Sequence, residues 1–477
     1  MSDTLKQPKA LSVCFLTEMW ERFGYIIIQT LLVFVLLQEF NMSMAESAKL
    51  VGTFTGVLFV TSVIAGYISD FFLGYLRSVI IGSIILFIGY LCISIVHDYK
   101  LLCLGLSTIC IGTGLLKTNV SGFLGTFYEK NDTRRDTGFT IFYIGINVGP
   151  VIGAIVSTSL QNYFHIASYQ QAFFLATFAV LLAGTIFYGG YKIYKYPLAR
   201  ANISTRSYLA AIILILASIG IAMWILYVPF VASIFFIAIS VACIFSLVAV
   251  SLGEKEQIKK TMAYILFLII GILYFSLYNQ IFISINIFND IAVNKNILGM
   301  HFSPQAFVSI DNIGVIIFGL LALKLWPKIS RTTKFIVSTV FLAAVFLILL
   351  IGVKLTANNG MVSGWWVIAS YLILAVSEIC ISPIGLALAT QLSPEKRNGL
   401  FIGAWLVTIG VAGQIAGTVS SYIGLPHINS NINIVKEAYI GIFSKFLIMA
   451  IILFIITIPL SLIINKFLSE EPVNTKA

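Results

Sequence analysis

The sequence predicts an all-α polytopic membrane protein of about fourteen transmembrane helices, built as two six-helix bundles with an inserted two-helix hairpin. Three observations predict it. Hydrophobic residues make up 59% and charged residues 10% of the 477-residue chain, and its mean hydropathy is +1.00, whereas soluble domains are roughly a quarter charged. Apolar runs of the roughly 20 residues that a bilayer core demands recur about fourteen times along the chain. Few charges are left inside those runs, among them Glu18, Glu21 and Arg22 in the first run, Lys117 in the fourth and Glu378 in the twelfth.

The runs fall in order at 14–38, 48–71, 78–97, 101–127, 137–160 and 170–191, which form a first set of six. The stretch from Ser207 to Gly253 carries no charge at all and is too long for one crossing. It breaks at Tyr227-Val228-Pro229, because proline removes a helical amide and restricts the residue before it. That gives a hairpin, 207–227 and 229–251. The second set follows at 261–288, 305–326, 334–353, 363–391, 399–423 and 439–465. The expected domains are therefore 1–200 as an N-terminal bundle, 201–256 as insert and linkers, and 257–477 as a C-terminal bundle.

Most of the 29 Lys and Arg residues, among them Lys6, Arg77, Arg134, Arg135, Lys192, Arg206, Lys259, Lys260, Lys334, Arg397 and Lys476, fall in alternate loops. Basic loops stay on the cytoplasmic side, so both termini are expected there in a bacterial inner membrane. The same asymmetry accounts for the net charge of +10 as topology and contact with membrane lipid, with no nucleic-acid partner implied. The six cysteines all lie within apolar runs and form no CxxC pair, and the first run lacks a cleavage site. No disulfide framework, metal or cofactor is expected.

A charge at the bilayer centre costs about 2.5–3.5 kcal/mol even on insertion scales, so each one is a functional candidate. Glu18, Glu21 and Arg22 stand at i, i+3 and i+4, on one helical face, with Lys117 as the cation expected to join them. A buried carboxylate binds a proton more tightly when desolvated and less tightly beside a cation, so moving the cation switches its proton affinity. The bland alternative is a fixed ion pair stapling two helices. Gly145, Gly149 and Gly153, and Gly410, Gly413 and Gly417, are read as close helix packing. Lys117 and Glu378 occupy corresponding helices of the two sets, which predicts opposite charges across a central substrate site.

These residues also carry a resemblance. Glu18-Met19-Trp20-Glu21-Arg22-Phe23-Gly24-Tyr25 resembles the ExxERFxYY motif of proton-dependent oligopeptide transporters, a branch of the major facilitator superfamily. Gly66 to Gly74 resembles the family's loop after the second helix, and Phe142 to Gly149 its FYxxINxG segment. Gly112 to Ser121 and Glu378 to Gly385 are similar to its fourth- and tenth-helix segments, and the inserted hairpin is a trait of bacterial members.

The resemblance implies that Glu18, Glu21, Arg22, Lys117 and Glu378 couple proton movement to transport. It implies that Arg22 and Lys117 clamp a peptide carboxylate while Asn147 and Glu378 receive the amino group. Tyr25, Tyr143, Tyr278, Asn279, Gln280, Asp311, Ser382 and Trp405 complete the implied substrate-binding set, with Trp405 preferred over Tyr274 as an aromatic wall. Asp70 and Arg77 are expected to latch an inner loop. Four departures stand out: Ile26 and Phe59 replace tyrosines, Asn279 replaces a glutamate, and Asp311 stands where an asparagine is frequent. An added carboxylate at Asp311 favours a cationic or diamino substrate, binds a proton itself, or merely caps a helix.

The expected function is proton-coupled import of di- and tripeptides by alternating access, by a monomer. The alternatives are transport of another small zwitterion, such as a modified peptide or amino-acid conjugate, and a non-transporting sensor on a transporter fold. An enzyme is disfavoured: His97, His165, His301 and His427 fall in or beside outer loops, and no HExxH is present. A channel has no use for paired charge poles in matched helices.

Overall fold

The computed structural model describes residues 7–129, 132, 134–164, 170–194, 196, 204–252, 254–325, 329–358, 360–394 and 397–469. Lys6, His165 and Lys476 lie outside the described residues. Fourteen segments among the described residues are long and apolar enough to cross a membrane, in the order that the sequence predicts.

The chain divides into two compact units, Met1–Ala232 with Phe302–Ile316, and Ser233–His301 with Ile317–Ala477. The first unit contains α1 (Lys9–Gln38), α2 (Met44–Ile68), α3 (Tyr75–Ile95), α4 (Tyr99–Gly125), α5 (Arg134–Phe164), α6 (Phe173–Tyr194) and α7 (Thr205–Tyr227). A capping box starts α2: the Ser43 hydroxyl accepts from the Glu46 amide while the Glu46 carboxylate accepts from the Ser43 amide. The helix ends in a π-helical turn, Ser69–Leu73, that carries Asp70 on its exposed side. Arg77 stacks over Tyr208 of α7, 5.9 Å from the ring centre.

The inserted segment forms two helices, α7 and α8 (Pro229–Ala249), broken at Val228 just before the proline. Ala211 and Ile215 of α7 join Ala65, Ile68, Leu73, Ile111 and Leu115 in one apolar cluster, so α7 packs within the first unit. All but the first four residues of α8 belong to the second unit. Leu209, Ile213 and Leu216, on the other side of α7, are exposed apolar surface of the kind that suits lipid.

Two runs that read as single crossings are each two helices. The ninth is α9 (Lys255–Tyr278), a 3-10 turn at Asn279–Phe282 and α10 (Ser284–Ile291). Gln280 repairs that break. Its amide nitrogen donates to the Ser276 and Ala416 carbonyls, and its oxygen accepts from the Ser284 and Ser420 hydroxyls, both at 2.7 Å. The twelfth is α13 (Gly364–Ile379) and α14 (Ser382–Leu392), parted just ahead of Pro383.

The remaining helices are α11 (Pro304–Leu325), α12 (Arg331–Leu355), α15 (Asn398–Tyr422) and α16 (Ile432–Ser469). Between α10 and α11 the chain makes β1 (Val293–Asn294), β2 (Asn296–Ile297) and β3 (Met300–His301); β1 pairs in parallel with β4 (Val362–Ser363), and β2 and β3 form a hairpin. Leu298 and Gly299 turn that hairpin with φ of 51° and 77°, the positive pair that a two-residue turn needs.

The glycine stripe of α5 is a packing surface. A Cβ at Gly145 would meet the Phe15 ring at 2.8 Å, one at Gly153 would meet Ile26 at 2.8 Å, and one at Gly149 would overlap the Met19 carbonyl oxygen. Only glycine lets the two backbones approach this closely.

Candidate functional site

The close approach of α5 to α1 fixes the first cluster of charge. Glu18, Glu21 and Arg22 are buried, at 1%, 1% and 5% exposure. Arg22 turns its fork onto its own neighbour, donating from Nε to Glu21 at 2.5 Å and from its terminal nitrogen at 2.8 Å. Adjacent residues on a helix do not ordinarily face one another, so this pairing departs from the spacing rule that selects Glu18. Glu18 stands 3.7 Å from Arg22 as a longer ion pair, and neither of its oxygens accepts a hydrogen bond. The Arg22 guanidinium also stacks over Tyr25, 4.3 Å from the ring centre.

Lys117 does not complete this pairing. Its ammonium rests over the Phe59 ring at 5.2 Å and forms no ion pair with Glu18 or Glu21, although it stands close enough to both to feel their charge. Phe59 thus supplies a ring face where a tyrosine would add a hydroxyl. On α5, Asn147 is buried and donates to the Tyr143 carbonyl at 3.0 Å, while the Tyr143 side chain is 38% exposed.

The second unit carries its own polar centre. Glu378 sits one residue from the end of α13 and accepts a hydrogen bond from the Tyr278 hydroxyl at 2.9 Å. Tyr278 stacks on Tyr274 with centroids 6.3 Å apart, and the Tyr274 hydroxyl bonds Ser377, which donates to the Ser338 carbonyl. This buried chain holds the aromatic pair that presents a hydroxyl to Glu378. Ser377 was invisible as a candidate in the sequence; its only signal is that it precedes Glu378.

A protein-family model described as the POT family matches residues 76–435. This chain belongs to the POT family. It is similar to the dipeptide and tripeptide permease A of Escherichia coli strain K12, 32% identical over 89% of this chain and 86% of the relative. It is also similar to the permease of the same name from Proteus mirabilis, 31% identical over 92% of each. A structure described as a peptide transporter POT mutant in complex with sulfate superposes with a TM-score of 0.79 at 23% identity, covering 96% of each chain. Another, concerning substrate recognition in proton dependent oligopeptide transporters, gives 0.84 at 22% identity over 97% of this chain and 100% of that one. These superpositions show the major facilitator fold.

Within this POT family fold several of the named residues are packing elements. Trp405 is 4% exposed: it stacks on Phe267, lies edge-on to Phe275 and presses against Gly385, where a Cβ would overlap the indole. That geometry belongs to a core and not to a wall open to substrate. Asn279 donates to the Phe275 carbonyl of its own helix, and Gln280 is fully used by its four partners. Ser382 is half-buried at the first turn of α14. Asp311 lies two turns inside α11 and is 3% exposed.

Proposed function

We propose that this protein imports di- and tripeptides across the bacterial inner membrane together with protons, with both termini in the cytoplasm and as a monomer. The membrane-spanning helices, the family and the relatives named as peptide permeases support a transporter and not an enzyme. The observation that carries the mechanism is that both prongs of Arg22 are already held by Glu21.

A guanidinium with its fork on one carboxylate is poorly placed to grip another. Protonating Glu21 removes its charge and loosens that grip, so Arg22 turns to the carboxylate of an incoming peptide. Losing the proton lets Glu21 reclaim Arg22, and the peptide is released. Proton and peptide carboxylate thus favour each other's binding, the reciprocity that symport requires. Glu18 extends the proton-accepting pair, and Lys117, seated on a ring face, adds a point charge for the same carboxylate. Asn147 and Glu378 receive the peptide amino group, with Tyr278 orienting Glu378. Tyr25 and Tyr143 complete the set, while Ser382 contributes at most a hydroxyl.

Purified protein in liposomes loaded with a pH dye, with an inside-negative potential imposed, tests this directly. Addition of alanyl dipeptides should acidify the interior, and Glu21→Gln and Lys117→Ala should abolish the signal. Silence from the folded parent protein would reject peptide symport. Peptide binding without either flux or counterflow would instead support a sensor.

A further inference from the structure

Within the second unit, α8, α9 and α15 do not close fully on one another. They leave a groove of about 350 Å³ lined by Cys243 and Ile244 of α8, Leu268 and Ile269 of α9, and Thr408 and Val411 of α15. Its walls are almost wholly apolar, and all three helices are long and apolar enough to cross a membrane. Ile244 and Ile269 are 45% and 42% exposed, so the groove is open along its flank. A gap left between side chains forfeits dispersion contacts until something apolar enters it. In a bilayer, that filler is a hydrocarbon chain.

The two ends of the groove differ. The Tyr264 hydroxyl donates to the Phe401 carbonyl and Phe267 stacks on Trp405, so α9 and α15 run parallel with their starts level. The Ser251 and Thr261 hydroxyls meet at 2.6 Å, which ties the chain just beyond α8 to the same level. Around it stand Lys255, Lys259 and Lys260 of α9 and Arg397 at the start of α15. The acids there are Glu254 and Glu256, and Glu256 pairs with Lys259 at 3.1 Å. Among the described residues of these helix ends, basic groups thus outnumber acidic ones two to one. Leu268 lies about 12 Å further along α9 than Lys260, at the rise of an α-helix. At the opposite ends α8, α9 and α15 carry no charged residue of their own; the charges that reach them, Glu378 at Tyr278 and Lys445 at Ile423, are one of each sign. An apolar slot running to a basic rim has the polarity of a lipid with an anionic head.

We propose that this groove holds one hydrocarbon chain of an anionic phospholipid, whose phosphate sits at the rim formed by Lys255, Lys259, Lys260 and Arg397, and that the inserted α8 serves to build the site. Basic groups at the ends of membrane helices attract anionic headgroups in this way. With the basic loops inside, the lipid belongs to the cytoplasmic leaflet. The inference stands apart from the peptide-transport reading.

Native mass spectrometry of the purified full-length protein, titrated with phosphatidylglycerol or with phosphatidylcholine of the same chains, tests it. The first phosphatidylglycerol should be held about five-fold or more tightly than phosphatidylcholine, the worth of one attraction between a basic residue and an anionic membrane surface. Replacing the four basic residues by glutamine should bring the two lipids level. Ile244→Trp puts its bulk at the exposed flank and should weaken both lipids, whereas Ile213→Trp on the exposed side of α7 should change neither. Equal affinity of the parent for the two lipids, or a preference that survives the glutamine variant, overturns the basic rim and the proposal with it. Unchanged binding in Ile244→Trp overturns the groove. Glycerol phosphate bound as tightly as phosphatidylglycerol would mark a site for free phosphate and overturn the lipid.

Discussion

Replacing Gly149 by alanine tests the geometry on which the charge cluster depends. An added Cβ there overlaps the Met19 carbonyl oxygen and comes within 3.0 Å of the Arg22 Cβ. Ordinary contact begins at 3.4 Å, and a backbone oxygen has no rotamer to escape into, so α1 and α5 must part by roughly 1 Å in a close-packed interior. Overpacking costs about 1–3 kcal/mol, and a backbone obstacle belongs in the upper half of that range. Alanine returns about 1 kcal/mol over glycine in a helix, leaving a net loss of about 1–2 kcal/mol. Gly145→Ala meets only the Phe15 ring and should be nearly neutral, and Gly153→Ala, facing both Ile26 and the Phe23 carbonyl, should fall between. Thermal unfolding of the three variants in detergent should therefore rank Gly149→Ala lowest, by about 1–2 °C. The same variant should lose peptide-driven proton flux, because Arg22 moves with the helix. A Gly149→Ala protein as stable as Gly145→Ala would refute the close approach.

Three further outcomes follow from particular bonds. Tyr278→Phe removes the hydroxyl from Glu378 and should weaken binding of peptides with a free amino terminus by about ten-fold, as a charged hydrogen bond implies, while N-acetylated analogues change little. Gln280→Leu strips an acceptor from the Ser284 and Ser420 hydroxyls and should destabilise by about 1–3 kcal/mol, read as a lowered unfolding temperature. Burial, and then the ammonium of Lys295, hold the His301 imidazole below its ordinary value of 6.5. A histidine so depressed resists protonation when folded, so its contribution is complete above that ordinary value and falls away as the pH drops below it. Protection of the Asn296–His301 amides from hydrogen exchange, taken relative to the intrinsic rate at each pH, should fall on acidification from pH 7 to 5, and His301→Gln should flatten that dependence.

Much of the architecture was legible because the bilayer imposes a length. The fourteen crossings, the break before Pro229 and the packing use of Gly145, Gly149 and Gly153 follow from residue type and spacing alone. The break at Asn279–Phe282 was not legible: the run is apolar on both sides and holds no proline, and the partners of Gln280 that make the break tolerable include Ala416 and Ser420, far along the chain. The break between α13 and α14 did carry a signal in Pro383, overridden by the length of the apolar run. At the site, spacing placed Glu18, Glu21 and Arg22 together, yet it could not choose the partner, since a long flexible arginine can fold back onto its neighbour. Trp405 shows the matching limit for aromatics. Its type suits a pocket wall, and only the three-dimensional crowding of Gly385 and Phe267 reveals a core residue.

The seat of Lys117 on Phe59 bears on how quickly the carrier can turn over. A ring face attracts a cation by about 0.5–2 kcal/mol and asks for no particular direction. A phenol or carboxylate would instead hold the ammonium through an aligned bond that has to break before the side chain swings away. The lysine here waits in a shallow well, from which departure toward an arriving anion meets little resistance. If it loses its proton, the ring offers the neutral amine almost nothing, so residence on Phe59 itself selects the charged form.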